Sequence, residues 1–171
     1  NRVGATPFLL AAKVADVDMM RMLAAHGADP TLSTEGGATP LMVAAGVGIW
    51  KFGENVGTNE EAFECVKFAW EVGAGDINAT DDNGDTALHG AAHRESQAIV
   101  EFLVSKGAKL DIRNKISWTP LSITLGVYYP SSYKRHPETA EVLRRLGAKD
   151  EGVRRDIDLS PTELESLAGK K

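Results

Sequence analysis

Residues 81–108 read DDNGDTALHGAAHRESQAIVEFLVSKGA, and this stretch decides the fold. Thr86 before an alanine-rich run predicts a helix start, because a threonine hydroxyl accepts hydrogen bonds from the first backbone amides of a helix. The apolar residues from Ile99 to Val104 predict a second helix, and Gly107 suits its C-terminal cap. The polar residues before Thr86 favour a tight turn. The stretch therefore predicts a unit of turn, helix, turn and helix.

The same markers recur along the chain at fixed intervals. Thirty-three residues separate Thr6 from Thr39 and also Thr86 from Thr119, whereas 47 separate Thr39 from Thr86. A proline follows three of these threonines, at the first helical position, where its missing amide hydrogen has no helical partner to lose. A Gly-Ala pair comes later in each unit, beginning at Gly27, Gly73, Gly107 and Gly147. A fixed period of about 20 to 50 residues indicates a repeat array.

A period of 33 residues, with Thr-Pro-Leu starts and a Gly-Ala-Asp ending, resembles the ankyrin repeat. The resemblance covers residues 1–149 and is closest around Thr86-Ala87-Leu88-His89. It implies an all-α ankyrin-repeat solenoid of four helix-turn-helix repeats with short hairpin loops and two inserted loops. We expect the repeats at 1–33, 34–80, 81–113 and 114–149.

Two insertions interrupt the period, at residues 49–61 and 128–137, each between the first and second helix of its unit. They are similar to insertions of large bacterial multi-ankyrin proteins. Their length alone indicates little, because the entropy of closing a loop rises slowly with its length. A polar tail follows at 150–171, in which a capping-box pattern predicts a short helix over 161–168.

The two ends of the array differ. The first unit is as apolar as an interior repeat, so we expect further ankyrin repeats before Asn1. In the last unit Thr139 and Arg144 replace the apolar Ile99 and Val104 of the third unit. This exchange predicts a polar C-terminal cap.

Composition excludes several function classes. The net charge is -5 and the positive residues are scattered, which argues against a nucleic-acid surface. No apolar run approaches the roughly 18 residues that span a bilayer, and the N-terminus lacks a signal-peptide layout. We therefore expect a soluble chain without membrane insertion, while its compartment stays open. The single cysteine, Cys65, aligns with Met19 and Ile99, which predicts a buried side chain.

No sequence motif predicts catalysis or a cofactor, because the chain has no phosphate loop and no nucleophile elbow. His89 and His93 lie four residues apart on one predicted helix, a spacing that can present two imidazoles to a metal ion. No third ligand nearby completes such a site. The resemblance implies instead that His89 bonds to the turn containing Thr86, and that His93 is exposed on the first helix. We therefore predict no metal site and no enzyme activity.

The resemblance implies a protein-binding scaffold whose concave face comprises loop tips and the exposed side of each first helix. The expected contact residues on that face are Asp82, Asn83, Asp85, His93, Arg94, Lys115 and Trp118. Tyrosines in the second insertion predict a second contact surface, at Tyr128, Tyr129 and Tyr133. Trp118 suits packing equally well. Two alternatives remain open: a structural or regulatory module of a larger protein or enzyme, and a small-molecule or metal pocket formed by the insertions.

Overall fold

Helices form four consecutive pairs in the computed structural model, which describes residues 3–49, 56–126 and 136–149. The helices in these ranges are Pro7–Lys13 (α1), Val17–Ala25 (α2), Pro40–Ala45 (α3), Asn59–Glu71 (α4), Ala87–Arg94 (α5), Gln97–Ser105 (α6), Pro120–Thr124 (α7) and Pro137–Arg145 (α8). The described residues contain no strand. The predicted all-α solenoid is confirmed.

Each first helix begins at the threonine that marks its repeat. The hydroxyl oxygens of Thr6, Thr39, Thr86 and Thr119 accept hydrogen bonds from the amides of Leu9, Met42, His89 and Ser122 at 3.2, 3.3, 3.4 and 3.2 Å. These bonds satisfy one of the amides that a helix start leaves without a carbonyl partner. The repeated threonine therefore sets the start of every first helix.

Each second helix ends at the Gly-Ala pair. At the end of α6, Gly107 adopts a left-handed backbone with φ +96°, and its amide donates to the carbonyl of Val104 at 3.0 Å. The amide of Ala108 donates to the carbonyl of Leu103 at 3.0 Å. This pair of bonds is the Schellman arrangement, which uses carbonyls that the helix leaves free. The amides of Ala28, Ala74 and Ala148 make the same second bond at the ends of α2, α4 and α8.

The pairs stack because each layer of helices contacts the next. Helices α1, α3, α5 and α7 lie side by side, and α4 contacts both α2 and α6. The approach of α3 to α5 needs glycine, since a Cβ atom on Gly90 would lie 2.5 Å from the amide nitrogen of Val47. The largest fully buried side chains are Phe8, Met20, Leu41, Met42, Leu88, Ile99, Leu103, Leu121 and Leu143. They belong to one core that runs through all four repeats.

The hairpin loops ahead of the first helices are joined by backbone hydrogen bonds. The amides of Glu35, Asp82 and Lys115 donate to the carbonyls of Val3, Gly36 and Asn83 at 2.9, 2.8 and 2.8 Å. One such bond links each hairpin to the preceding one. The hairpins therefore form a continuous row along the N-terminal ends of the first helices.

Helix α4 begins at Asn59, before the expected end of the first insertion at residue 61, because Thr58 and Glu61 form a capping box. Helix α8 begins at Pro137, the last residue of the expected second insertion. The predicted helix at 161–168 lies outside the described residues.

The outer faces of the terminal repeats differ from the expectation in one respect. Thr139, expected in a polar cap, is fully buried, and its hydroxyl accepts a hydrogen bond from Gln97 at 3.2 Å. The cap prediction is wrong at this position because Thr139 faces the preceding repeat, whereas Arg144 is exposed. In the first repeat, Leu10, Val14, Met19 and Met22 are large apolar side chains in or next to the helices that are exposed, at 41 to 48% exposure. Cys65, which aligns with Met19, is fully buried as predicted.

Candidate functional site

In two hairpins of the row, the side chain of the first loop residue, Asp81 or Asn114, accepts hydrogen bonds from backbone amides of the same loop. Oδ1 of Asp81 accepts from the amides of Asn83 and Asp85 at 2.8 and 3.0 Å. Oδ1 of Asn114 accepts in the same way from Ile116 and Trp118, at 3.2 and 2.9 Å. Asp and Asn side chains that bond two residues ahead build this turn without help from distant residues. The hairpin tips are therefore held in one conformation by local bonds.

The tips present a small set of exposed side chains. Asp82, Asn83 and Lys115 are exposed, as the sequence predicts. Ile116 is 54% exposed and was not among the expected contact residues. The sequence holds a signal for it, since Ile116 stands where the preceding hairpins have Gly36 and Asn83.

Two expected contact residues have structural roles as well. Asp85 is half-buried, and Oδ1 accepts from Nδ2 of Asn114 at 2.8 Å, which ties two hairpins together. Trp118 is also half-buried. Its carbonyl lies 3.0 Å from Nε2 of His89, and because a carbonyl only accepts, Nε2 carries the proton.

His89 joins its own helix cap to the next hairpin. Nδ1 accepts from the amide of Thr86 at 3.1 Å, which confirms the predicted bond to the Thr86 turn. The bond from Nε2 to Trp118 extends this contact to the fourth repeat. Burial lowers the pKa of His89, so the neutral tautomer is favoured. His89 therefore acts as a neutral structural link.

The expected exposure of Arg94 and His93 is wrong. Arg94 is 3% exposed, and its guanidinium lies beneath the end of the first insertion. His93 is half-buried, and burial lowers its pKa to about 4. The resemblance implied that both residues lie on the exposed side of the first helix, but a resemblance does not show what an inserted loop covers. Neither side chain belongs to the exposed hairpin row.

The described residues also bear on metal binding and on the reactivity of the single cysteine. No group of three or more His, Cys, Asp or Glu side chains there is arranged to hold a metal ion. Burial raises the pKa of Cys65 to about 12, so its thiol stays protonated and unreactive. No described helix is both long and apolar enough to cross a membrane. Tyr128, Tyr129 and Tyr133 lie outside the described residues.

Comparison with known proteins agrees with this geometry. The family model "Ankyrin repeats (3 copies)" matches residues 57–150, and "Ankyrin repeat" matches residues 3–35. The chain is 30% identical to ankyrin repeat and SOCS box protein 16 of Homo sapiens over 135 residues, which is 78% of the chain and 27% of that protein. It is 30% identical to alpha-latroinsectotoxin-Lt1a of Latrodectus tredecimguttatus over 118 residues, 69% of the chain and 7% of the toxin.

A third relative is the BRCA1-associated RING domain protein 1 of Caenorhabditis elegans, 42% identical over 81 residues, 47% of the chain and 10% of that protein. The chain thus spans about a quarter or less of the length of these relatives. All three are animal proteins, and none bears on the expected resemblance to bacterial arrays. The family matches, the threonine caps, the Gly-Ala helix ends and the linked hairpins agree: this chain belongs to the ankyrin-repeat family.

Proposed function

We propose that this chain is a non-catalytic scaffold that binds another protein through its row of hairpin tips. Ankyrin repeats are generally protein–protein interaction modules. The observation that carries the proposal is the backbone bond from Lys115 to Asn83, with its equivalents along the row, because it fixes the spacing of successive tips. The exposed contact set is Asp82, Asn83, Lys115 and Ile116, with Asp85 and Trp118 half-buried behind it.

Preorganisation is the physical reason for this assignment. A loop that is ordered before binding loses little conformational entropy when a partner docks. The bonds from Asp81 and Asn114 supply that order in two adjacent hairpins. The tips also differ in charge, with Asp82 on one hairpin and Lys115 on the next. A partner segment that lies across both is oriented by this difference.

Alanine variants of the tips test the proposal. Ile116→Ala and Asp82→Ala shorten side chains that are exposed at the tips, so the fold is expected to stay intact. Each is expected to weaken binding to a partner captured by the wild-type chain by about tenfold. Glu71→Ala, exposed at the end of α4, is the matched control. Unchanged affinity in both tip variants would remove the hairpin row as the binding site.

We also propose that Tyr128, Tyr129 and Tyr133 provide a second contact surface, because tyrosine is enriched at binding hot spots. The scattered positive charge and the net charge of -5 support a protein rather than a nucleic acid as partner. Ser substitution of all three tyrosines is expected to weaken the same complex, with circular dichroism as the check on folding. Full affinity in that variant would restrict binding to the hairpins.

A second candidate function is a structural or regulatory module of a larger protein. It is favoured by the small share of each relative that the chain spans, 27% in the human protein. Immunoblotting of extracts of the native source with an antibody against the chain distinguishes the two candidate functions. A band well above 18.3 kDa supports a larger parent protein, whereas a band at that mass contradicts it.

A further inference from the structure

Residues 56–58, at the end of the first insertion, and His136, in the second, both contact the end of helix α5 in the third repeat. The helix ends at Arg94, and Glu95 turns the chain with a left-handed backbone, φ +64°. Ser96 then caps α6, with its hydroxyl oxygen 3.4 Å from the amide of Ile99. This bend lies at the C-terminal end of a first helix, whereas the hairpin row lies at the N-terminal ends. It is therefore distinct from the proposed binding row.

Arg94 holds the end of the first insertion. Its Nη2 donates to the carbonyls of Val56, Gly57 and Thr58 at 3.1, 3.2 and 2.8 Å, immediately before α4 begins. Val14 and Val47 occupy the equivalent place in the first two repeats, so an arginine here departs from the repeat pattern. Burying a guanidinium costs free energy unless carbonyls or anions replace its water. The three carbonyls of the insertion provide that replacement at Nη2.

Glu95 holds the end of the second insertion. Its Oε2 lies 2.9 Å from Nδ1 of His136, whose side chain is 9% exposed. The backbone amide of His136 donates to the carbonyl of Thr124 at 2.9 Å, and α8 begins at the next residue. The carboxylate therefore lies against the entry to α8.

We propose that Arg94 and Glu95 are positioning residues that couple the start of α4 to the start of α8, so that release of one start loosens the other. Thr58 and His136 are far apart in sequence, yet their anchors are consecutive residues, with Cα atoms about 3.8 Å apart. A rotation of the bend moves both anchoring side chains together. The start of α4 therefore keeps its place through a bend that the start of α8 also contacts, and the reverse is equally true.

Two backbone amides report on the anchors separately. The amide of Thr58 donates to Oε2 of Glu61 at 2.8 Å, at the end of the first insertion. The amide of His136 reports on the second insertion through its bond to Thr124. The amide of Ala28, bonded to Leu23 in the first repeat, serves as a distant reference. Hydrogen exchange at these three amides, measured by NMR on the full chain without a partner, reads local opening at each site.

The test uses Glu95→Gln, which keeps the shape of the side chain and removes its charge, and Arg94→Gln. Glu95→Gln is expected to speed exchange about tenfold at His136 and about threefold at Thr58, with Ala28 unchanged. Arg94→Gln is expected to speed exchange more at Thr58 than at His136. Arg94→Lys, which keeps the charge and three donors, is expected to restore part of the protection at both sites.

The proposal is overturned if each variant changes hydrogen exchange only at the amide next to its own anchor. Unchanged exchange at both amides overturns it as well. Should Arg94→Gln fail to fold, Glu95→Gln and Arg94→Lys decide the question alone, since both keep a polar side chain of similar size. Because hydrogen exchange is measured without a partner, a negative result there does not bear on binding at the hairpin row, and a negative binding result does not bear on the coupling.

Discussion

Single side chains in this molecule show how a common repeat pattern is adapted to one chain. His89 follows the pattern, with a bond to Thr86 that the sequence predicts and a further bond to Trp118 that it does not. Arg94 departs from the pattern and is buried beneath an insertion. His93, next to it, is half-buried, and its protonation is opposed by the loss of water.

Acid is expected to destabilise the fold through His93. Because burial lowers its pKa from 6.5 to about 4, the unfolded chain binds more protons than the folded chain between those values. Stability is therefore full above pH 6.5 and falls as pH drops toward 4. Asp85 opposes the shift, whereas His89 and His136 add to it.

The expected loss from His93 is about 2 kcal/mol between pH 7 and pH 5. Urea unfolding of wild type and His93→Gln at both pH values checks this. The variant is expected to lose less stability on acidification, because Gln does not titrate. An equal loss in both proteins would show that His93 does not contribute.

Gly90→Ala is expected to destabilise the protein, against the usual helical preference for alanine. The added Cβ would lie 2.5 Å from the amide nitrogen of Val47, which forces α3 and α5 apart. Overpacking of this kind costs about 1 to 3 kcal/mol. Ala98→Gly, on the exposed side of α6, is the control and shows the ordinary effect of about 1 kcal/mol for loss of alanine. A gain of stability in Gly90→Ala would contradict the close helix approach.

At the level of the helices, caps explain why short segments stay helical. Helix α7 has 5 residues and α3 has 6, both too short to be stable alone in water. A threonine cap and a proline at the start lower the cost of forming each one. Packing against neighbouring first helices supplies the rest of the stability.

Thr58→Ala is expected to lower the free energy of unfolding by about 1 kcal/mol, because it removes half of the capping box that starts α4. Thr58→Ser keeps the hydroxyl and is expected to behave like wild type. Chemical denaturation of both variants provides the measurement. Equal destabilisation by Ser and Ala would mean that the methyl group, and not the hydroxyl, matters at this position.

Across the whole molecule, the exposed face of the first repeat is the main departure from a closed core. Leu10, Val14, Met19 and Met22 lie on that face, whereas Val43, which aligns with Leu10, is buried in the second repeat. In a stack, such positions are covered by the preceding repeat. We propose that this face accepts a further helix pair.

Met22→Lys is expected to change the free energy of unfolding by less than about 0.5 kcal/mol, because the side chain is already exposed. Binding of an apolar dye is expected to fall with it. Met20→Ala, two positions away and fully buried, is expected to cost about 2 to 5 kcal/mol. A large loss in Met22→Lys, or dye binding that stays constant, would show that the face is already covered.

From the sequence by itself one can read where the four first helices begin and where the second helices end. Thr86 and Gly107 act through bonds to residues three to five positions away, so their meaning can be read locally. The exposure of Asp82, Asn83 and Lys115 was also predictable. These residues lie in turns that the side chains of Asp81 and Asn114 hold by local hydrogen bonds.

Only the tertiary structure decided which residues the array covers. Arg94 is bonded to carbonyls 36 to 38 residues earlier in the chain, and Thr139 to a side chain 42 residues earlier. Ile116 became a candidate contact once its exposure was known. Burial and pairing at such positions depend on where the insertions and neighbouring repeats lie in space. A helical period sets the direction of a side chain but not what packs over it.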